Sequence, residues 1–184
     1  MDALATQSNL ITGEEFLRMG DQGPCELIDG VVVKIVPVGA EHGFIEFNLG
    51  GELRSFVRSR KLGWVMGGEV GLYVKRNPDR VRGADIVFVS NLKQQIRPTA
   101  GYLEEAPDLV VEVVSPNDSQ KAVDEKIAEY FQIGVARVWI VESKKKTVAV
   151  YRSAHQMTRL GQNDVLIGEG RLSGFSMTVR DIFE

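Results

Sequence analysis

The sequence predicts an α/β (α+β) protein with a mixed central β-sheet flanked by helices. Residues 84–89 and 109–114 are apolar except for one acid each, which is typical of central strands covered on both faces. Apolar residues in segments 41–60 and 119–133 recur every three or four positions, as in amphipathic helices. Because a sheet buried on both faces needs helices packed against it, these observations together predict the architecture.

Shorter elements precede the central strands. Thr12 and Glu15 have the spacing of a capping box, which predicts a short helix over 13–19. The dipeptide Asp29-Gly30 tolerates positive φ at both turn positions, so residues 26–33 are expected to form a hairpin. Two further strands are expected at 64–66 and 69–74.

The second half of the chain continues the pattern. Asn117 or Asp118 is expected to cap the helix over 119–133, and Gly134 is expected to end it. Strands at 137–141 and 147–151 are expected to form a hairpin around 143–146. The last thirty residues are expected to hold two short strands and a terminal turn of helix.

Composition excludes several classes of protein. The 184 residues are 43% hydrophobic and carry 22 Lys+Arg against 25 Asp+Glu, a net charge of −3 that excludes a uniformly basic nucleic-acid coat. With one cysteine and two histidines, the chain has no intrachain disulfide and no structural zinc site of the Cys/His kind. Any metal would be held mainly by oxygen.

The length and the hydrophobic pattern predict how the chain is organised and where it acts. A chain this long can bury a sizeable core, and since no linker divides it, residues 1–184 are expected to form a single domain. Its apolar runs fall far short of the ~20 residues that span a bilayer. The first ten residues do not have the pattern of a signal peptide, so we expect a cytoplasmic protein with no membrane partner.

Each of the two core strands carries one carboxylate, Asp85 and Glu112. An isolated buried carboxylate costs several kcal/mol, so each acid must pair with an arginine, lie at a strand end or bind a cation. Two acids on successive core strands favour a divalent cation of the Mg²⁺ type. At 100° per residue, Lys126 lies at the rim of the buried helix face and can reach the sheet, whereas Lys121 points to solvent. The alternative for Lys126 is a stem that covers apolar surface.

These residues lie within a recognisable pattern. The stretches 81–90 and 107–118, followed by Asp124, Lys126, Tyr130 and Gly134, resemble the bacterial family of putative restriction endonucleases in the PD-(D/E)XK nuclease superfamily. Segments 26–30 and 41–43 fit it as well, and the resemblance extends from about Thr12 to Tyr151. It implies a restriction-endonuclease-like fold and a metal-dependent endonuclease that hydrolyses DNA.

The resemblance also implies roles for individual residues. Asp85 and Glu112, with the backbone carbonyl of Val113, would hold Mg²⁺ or Mn²⁺, and Lys126 would assist water activation. The sequence departs from the superfamily pattern at Ala84, where a proline is usual, and at Val114, the usual position of the lysine. The lysine is therefore expected at Lys126, on the following helix.

Three other residues near this pattern have different expected roles. Asp108 lies ~13 Å from Glu112 along the strand, which is too far to share one ion. On the first long helix, Glu46 is a candidate third metal contact through water, with a solvated helix edge as the alternative. His42 is expected to be a hydrogen-bonded structural residue.

A nucleic-acid substrate requires local positive charge. Three groups of basic residues are candidates: Arg54, Arg58, Arg60 and Lys61; Lys75, Arg76, Arg80 and Arg82; and Lys144 to Lys146. The second group is the most suggestive because it leads into the strand of Asp85, with an ordinary solvated loop as the alternative. Two alternatives to an endonuclease stay open. One is an inactive nucleic-acid or protein binding module on the same fold, and the other is a structural homodimer with paired ions in its core. By analogy with the superfamily, a nuclease is also expected to be a homodimer.

Overall fold

A mixed β-sheet with helices on both faces forms the centre of the protein. A computed structural model describes residues 10–92, 100–115 and 118–184. The helices and strands follow in chain order: α1 (Gly13–Arg18), β1 (Cys25–Ile28), β2 (Val31–Lys34), α2 (Ala40–Ser59), β3 (Gly63–Lys75), β4 (Arg80–Ser90), β5 (Leu109–Val114), α3 (Gln120–Gln132), β6 (Arg137–Glu142), β7 (Thr147–Ser153), β8 (Gln156–Leu160), β9 (Val165–Ile167) and β10 (Ser176–Thr178). Two short 3₁₀ helices, Gly170–Leu172 and Val179–Ile182, flank β10.

The sheet has the strand order β2-β1-β4-β5-β6-β7-β8, with β3 paired to the other edge of β4. The β5–β6 pair is parallel, because α3 returns the chain to the end of the sheet at which β5 begins. The other neighbouring strands are antiparallel. Both central strands are buried along nearly their whole length. The predicted fold class, a mixed central sheet flanked by helices, is confirmed.

The two faces of the sheet have separate cores. On one face α2 buries Ile45, Leu49, Leu53 and Val57 against β4, β5 and the C-terminal segment. On the other face α3 buries Ile127 and Tyr130 against β4, β5 and β6. The two predicted long helices thus cover the sheet from opposite sides, and each carries side chains toward the middle of β4.

The local signals for the ends of the elements are confirmed at several positions. Thr12 and Glu15 form both bonds of the capping box. Asp29 and Gly30 both have positive φ, at 49° and 79°, in the tight turn between β1 and β2. Gly134 ends α3 with φ 98°. The cap of α3 is Ser119 rather than Asp118, and Asn117 lies outside the described residues.

Three predictions about strands are wrong. Segments 64–66 and 69–74 form one strand, β3, which continues through a bulge where Gly68 and Glu69 lie opposite a single residue of β4. β4 begins at Arg80 rather than at residue 84. The last thirty residues contain three short strands rather than two and an additional 3₁₀ helix, whereas the expected terminal turn of helix is present at Val179–Ile182. None of the helices in the described part of the chain is both long and apolar enough to cross a membrane.

Candidate active site

A gap in the sheet lies beside the middle of β4. β3 pairs along one edge of β4, whereas the other edge pairs with β1 at Val81 and with β5 only from Ile86 onward. Among the described residues, no strand pairs with 82–85 on that second edge. Buried backbone groups need hydrogen-bond partners, so side chains must take the place of a strand here.

Charged side chains fill this gap. Glu26 accepts a hydrogen bond from the backbone N–H of Gly83 at 3.1 Å, and Lys126 Nζ donates to the carbonyl oxygen of Gly83 at 3.2 Å. Lys126 also lies 3.3 Å from Glu26. Where strand pairing is interrupted, Glu26 from β1 and Lys126 from α3 thus both hydrogen-bond to the backbone of Gly83. The prediction that Lys126 reaches the sheet is confirmed.

Asp85 lies at the C-terminal end of the gap, next to the first residue of β4 that pairs with β5, and is 4% exposed. Its Oδ2 accepts a hydrogen bond from the backbone N–H of Val113 at 2.6 Å, and its Oδ1 lies 3.1 Å from Nε2 of His42. The first contact brings Asp85 directly against β5. His42 is hydrogen-bonded as expected, but its partner is Asp85, which makes it part of the candidate site.

Glu112 points to the α3 face of the sheet. Its two oxygens accept hydrogen bonds from Nζ of Lys126 at 3.0 Å and from the hydroxyl of Tyr130 at 2.5 Å. Burial raises the pKa of the Glu112 carboxyl to about 7; Lys126 opposes the rise and Asp85 adds to it. Burial opposes a charged lysine, yet Glu112 and Glu26 together raise the pKa of Lys126 above its usual value.

α2 contributes His42 and Glu46, which lie one helical turn apart on the same face. Oε1 of Glu46 accepts a hydrogen bond from the backbone N–H of Gly68 in the bulge at 2.7 Å. His42, Glu46 and Asp85 each offer a ligand atom within 4.8 Å of the others, and the described residues contain no other such set of three. Burial raises the pKa of Glu46, and Asp85 adds to the rise.

Two further acids near Asp85 and Gly83, Glu69 and Glu26, were not predicted from the sequence. Glu69 lies in the bulge opposite Asp85 with φ 60°, and its carboxylate covers Gly83 so closely that a Cβ there would stand 2.2 Å from its Oε2. Burial raises the pKa of Glu69, and Asp85 is the next largest cause. The pair Gly67-Gly68 before an acid in a strand was the available signal, since glycines in strands mark bulges and close approaches.

The group Lys75, Arg76, Arg80 and Arg82 is not a free phosphate-binding patch, so that prediction is wrong. Lys75 and Arg80 both pair with Asp29, and Arg80 also contacts Glu129. Arg82 is buried and donates to Glu26 and Glu129 at 2.8 and 2.7 Å. Arg76 pairs in the same way with Glu14 and Asp79. Apart from the local pair of Arg76 and Asp79, these charges neutralise acids that are distant in the sequence.

The other basic groups differ in their distance from the site. Arg58 lies in the last turn of α2, 16 residues beyond His42, which places it about 24 Å away along the helix axis. The turn of Lys144 to Lys146 follows β6, which runs parallel to β5 and ends at the same edge of the sheet. Lys145 pairs with Glu142, while no ion pair joins Lys144 or Lys146 to the described residues.

Comparison with known proteins identifies the family. The model of the Uma2 family, whose description is "Putative restriction endonuclease", matches residues 14–180. The chain belongs to the Uma2 family. The Uma2 match spans the whole sheet and every residue of the gap, and it confirms the resemblance to restriction-endonuclease-like proteins.

A solved structure agrees with the Uma2 assignment. The crystal structure of a putative nuclease belonging to DUF820 from Anabaena variabilis ATCC 29413 superimposes with a TM-score of 0.79. It has 22% sequence identity to this chain, and the match covers 94% of this chain and 97% of that one. At this identity the likeness establishes a shared fold. No curated protein matches the chain.

Proposed function

We propose that this protein is a metal-dependent endonuclease that hydrolyses phosphodiester bonds of DNA. The observation that carries the proposal is the sheet gap, where buried Asp85 meets β5 and the ion pair of Glu112 and Lys126 lies beside it. Membership of the Uma2 family and the fold shared with a putative nuclease support nuclease activity.

The residues present fit a divalent cation. Glu46, Glu69 and Glu112 all have raised pKa values, and the charge of Asp85 contributes to each rise. A cation among these carboxylates would remove their mutual repulsion and offset the cost of burying them. Oxygen-rich sites of this kind take Mg²⁺ or Mn²⁺. We assign Asp85, Glu112 and the carbonyl of Val113 as ligands, with Glu46 binding through water.

The bound cation would supply positive charge that polarises the scissile phosphate and acidifies a water molecule. Lys126 would orient the attacking water and stabilise the negative charge that develops on the phosphate. Its ammonium is held for this by three oxygens, from Glu26, Gly83 and Glu112. Tyr130 restrains the other oxygen of Glu112.

Phosphate groups of the substrate need further positive charge near the site. The turn of Lys144 to Lys146 is the best placed of the three basic groups, because it lies at the edge of the sheet where β5 ends. We propose that Lys144 and Lys146 contact the DNA backbone there. A homodimer and a cytoplasmic location stay predictions from the sequence.

Cleavage of supercoiled plasmid DNA in Mg²⁺ or Mn²⁺ tests the proposal. Asp85→Asn is expected to lower the rate at least 100-fold, since it removes the charge that the cation needs. Asp108→Asn is the matched control, because Asp108 also accepts a hydrogen bond from a strand backbone N–H, that of Ser90 at 2.7 Å, at the other end of β4. Equal cleavage by the two variants would contradict the assignment.

A second pair of variants tests the lysine. Lys126→Met should lower the cleavage rate by 10²-fold or more, whereas Lys121→Met, on the exposed side of the same helix, should leave it within about threefold of the unchanged protein. If both lysine variants cleave at the unchanged rate, Lys126 has no role in the reaction.

One observation favours the alternative of an inactive binding module. Both oxygens of Glu112 already accept hydrogen bonds, from Lys126 and Tyr130, and Val114 replaces the usual lysine of the superfamily. A protein of this kind would bind DNA but leave it intact with every divalent cation. Calorimetric titration with Mg²⁺ and Mn²⁺, with and without DNA, separates the two functions, since the binding module would take up neither ion.

A further inference from the structure

The contact between His42 and Asp85 has the spacing of two neighbouring metal ligands. Nε2 of His42 and Oδ1 of Asp85 are 3.1 Å apart. Two ligand atoms held about 2.1 Å from one ion, at right angles to each other, stand about 3.0 Å apart. An ion beside the line that joins these two atoms can therefore contact both of them at their present separation.

Two of the three side chains around this position, Asp85 and Glu46, are held by a second contact. Oδ2 of Asp85 accepts a hydrogen bond from the N–H of Val113, which directs Oδ1 toward His42. Oε1 of Glu46 accepts a hydrogen bond from the N–H of Gly68. The side chain of His42 is 10% exposed and stands on the first turn of α2, one turn before Glu46. Such supporting contacts are what orient the ligands in metal sites.

We propose that His42 is a nitrogen ligand to the cation, and that the set of His42, Glu46 and Asp85 selects Mn²⁺ over Mg²⁺. The inference rests on the proposed function in taking Asp85 and Glu46 as metal-binding residues. Carboxylate, carbonyl and water oxygens suit both ions, and Mg²⁺ demands them in near-ideal octahedral geometry, so an imidazole nitrogen disfavours Mg²⁺ more than the transition-metal ion Mn²⁺. A mixed nitrogen and oxygen set therefore discriminates between two ions that an all-oxygen site would bind alike.

The competing explanation is a plain hydrogen bond from His42 to Asp85. It predicts that His42 orients the carboxylate but never contacts the ion. Glutamine at position 42 separates the two explanations, because its amide can still donate a hydrogen bond while it is a poor ligand for a transition metal. His155 offers the control, since it is the other histidine of the chain and is exposed in the turn between β7 and β8.

The experiment measures binding of Mn²⁺ alone to the full chain, without DNA. Pulsed electron paramagnetic resonance of the Mn²⁺ complex should show coupling to an imidazole nitrogen in the unchanged protein and in His155→Gln, and none in His42→Gln. Calorimetry should give a Kd for Mn²⁺ at least 10-fold weaker in His42→Gln, with the Kd for Mg²⁺ within threefold of the unchanged protein.

The possible outcomes keep this inference apart from the proposed function. Mn²⁺ bound without nitrogen coupling, or with equal affinity in His42→Gln, overturns the role of His42 and leaves a metal-dependent nuclease intact. Failure of the unchanged protein to bind either ion at millimolar concentration overturns both. The spectrum of the unchanged protein decides the matter by itself if His42→Gln does not fold, because nitrogen coupling that persists in His155→Gln assigns the ligand to His42.

Discussion

Removal of the Arg82 guanidinium should destabilise the protein strongly. The side chain is 10% exposed and binds two carboxylates, Glu26 and Glu129, which are themselves 7% and 11% exposed. Arg82→Met keeps most of the apolar stem and removes only the charge and its hydrogen bonds. Two nearly buried acids then lose a cation that they share.

The magnitude follows from what each acid retains. Breaking a buried ion pair by removing one partner costs about 3–5 kcal/mol, because the remaining charge stays buried. Glu129 keeps its contact with Arg80, and Glu26 keeps Lys126 and the N–H of Gly83. We therefore expect the lower end of that range, about 3 kcal/mol, which is a large share of the 5–15 kcal/mol that stabilises a typical domain.

Urea unfolding followed by the fluorescence of buried Trp139 measures this loss. Arg159→Met is the matched control, because Arg159 pairs with Glu142 on the surface, where its side chain is 41% exposed; it should cost less than about 1 kcal/mol. Addition of Glu26→Gln to Arg82→Met should cost at least about 1 kcal/mol less than the sum of the single changes, since the two residues interact directly.

A loss below about 1 kcal/mol for Arg82→Met would refute this reasoning. It would mean that Arg80 and Lys126 already neutralise the two acids without help. Additive effects of Arg82→Met and Glu26→Gln would contradict the pairing itself. Either result would also weaken the view that the gap is filled by an interdependent charge network.

Two further predictions concern backbone conformation and pH. Gly63→Ala should lower the free energy of unfolding by more than about 2 kcal/mol, because the φ of Gly63 is 152° and a Cβ there would stand 2.0 Å from a backbone carbonyl oxygen of β4. Gly51→Ala, in open space on α2, should instead raise the free energy of unfolding by about 0.5–1 kcal/mol. Equal urea midpoints for the two variants would contradict both predictions. Hydrogen bonds from Arg152 and Arg137 lower the pKa of Glu169 below 4.5, so its stabilisation is present above that pH and is lost as the pH falls through the lowered value. Glu169→Gln should therefore cost about 1 kcal/mol at pH 7 and progressively less as the pH falls through the lowered pKa, and a cost independent of pH would refute the ion pair.

Much of the fold could be predicted because local rules decide it. The capping box at Thr12, the hairpin turn at Asp29-Gly30 and the glycine stop at Gly134 each depend on residues within four positions of one another. Helical spacing also placed Lys126 at the rim of the face that α3 buries, which is why its contact with the sheet could be predicted from angles alone.

Other features depend on residues that are far apart in the chain. Period-two patterning breaks at Gly67 and Gly68, so β3 was predicted as two strands, while its pairing with β4 carries it through the bulge. The charges of Arg80 and Arg82 suggested a nucleic-acid surface, but their partners lie on β1, the hairpin turn and α3. Charge in a sequence does not reveal whether its counter-ion is a substrate or another part of the same chain.

Sequence alone is enough to find the two core acids, the lysine opposite them and the family pattern that contains them, because a carboxylate in an apolar strand is anomalous wherever the strand lies. Tertiary structure alone decided that β1 and β5 leave part of β4 unpaired, and that His42, Glu69 and Glu26 converge on the gap. Strand pairing over dozens of residues sets those positions, and buried backbone groups left without a strand partner must then recruit side chains.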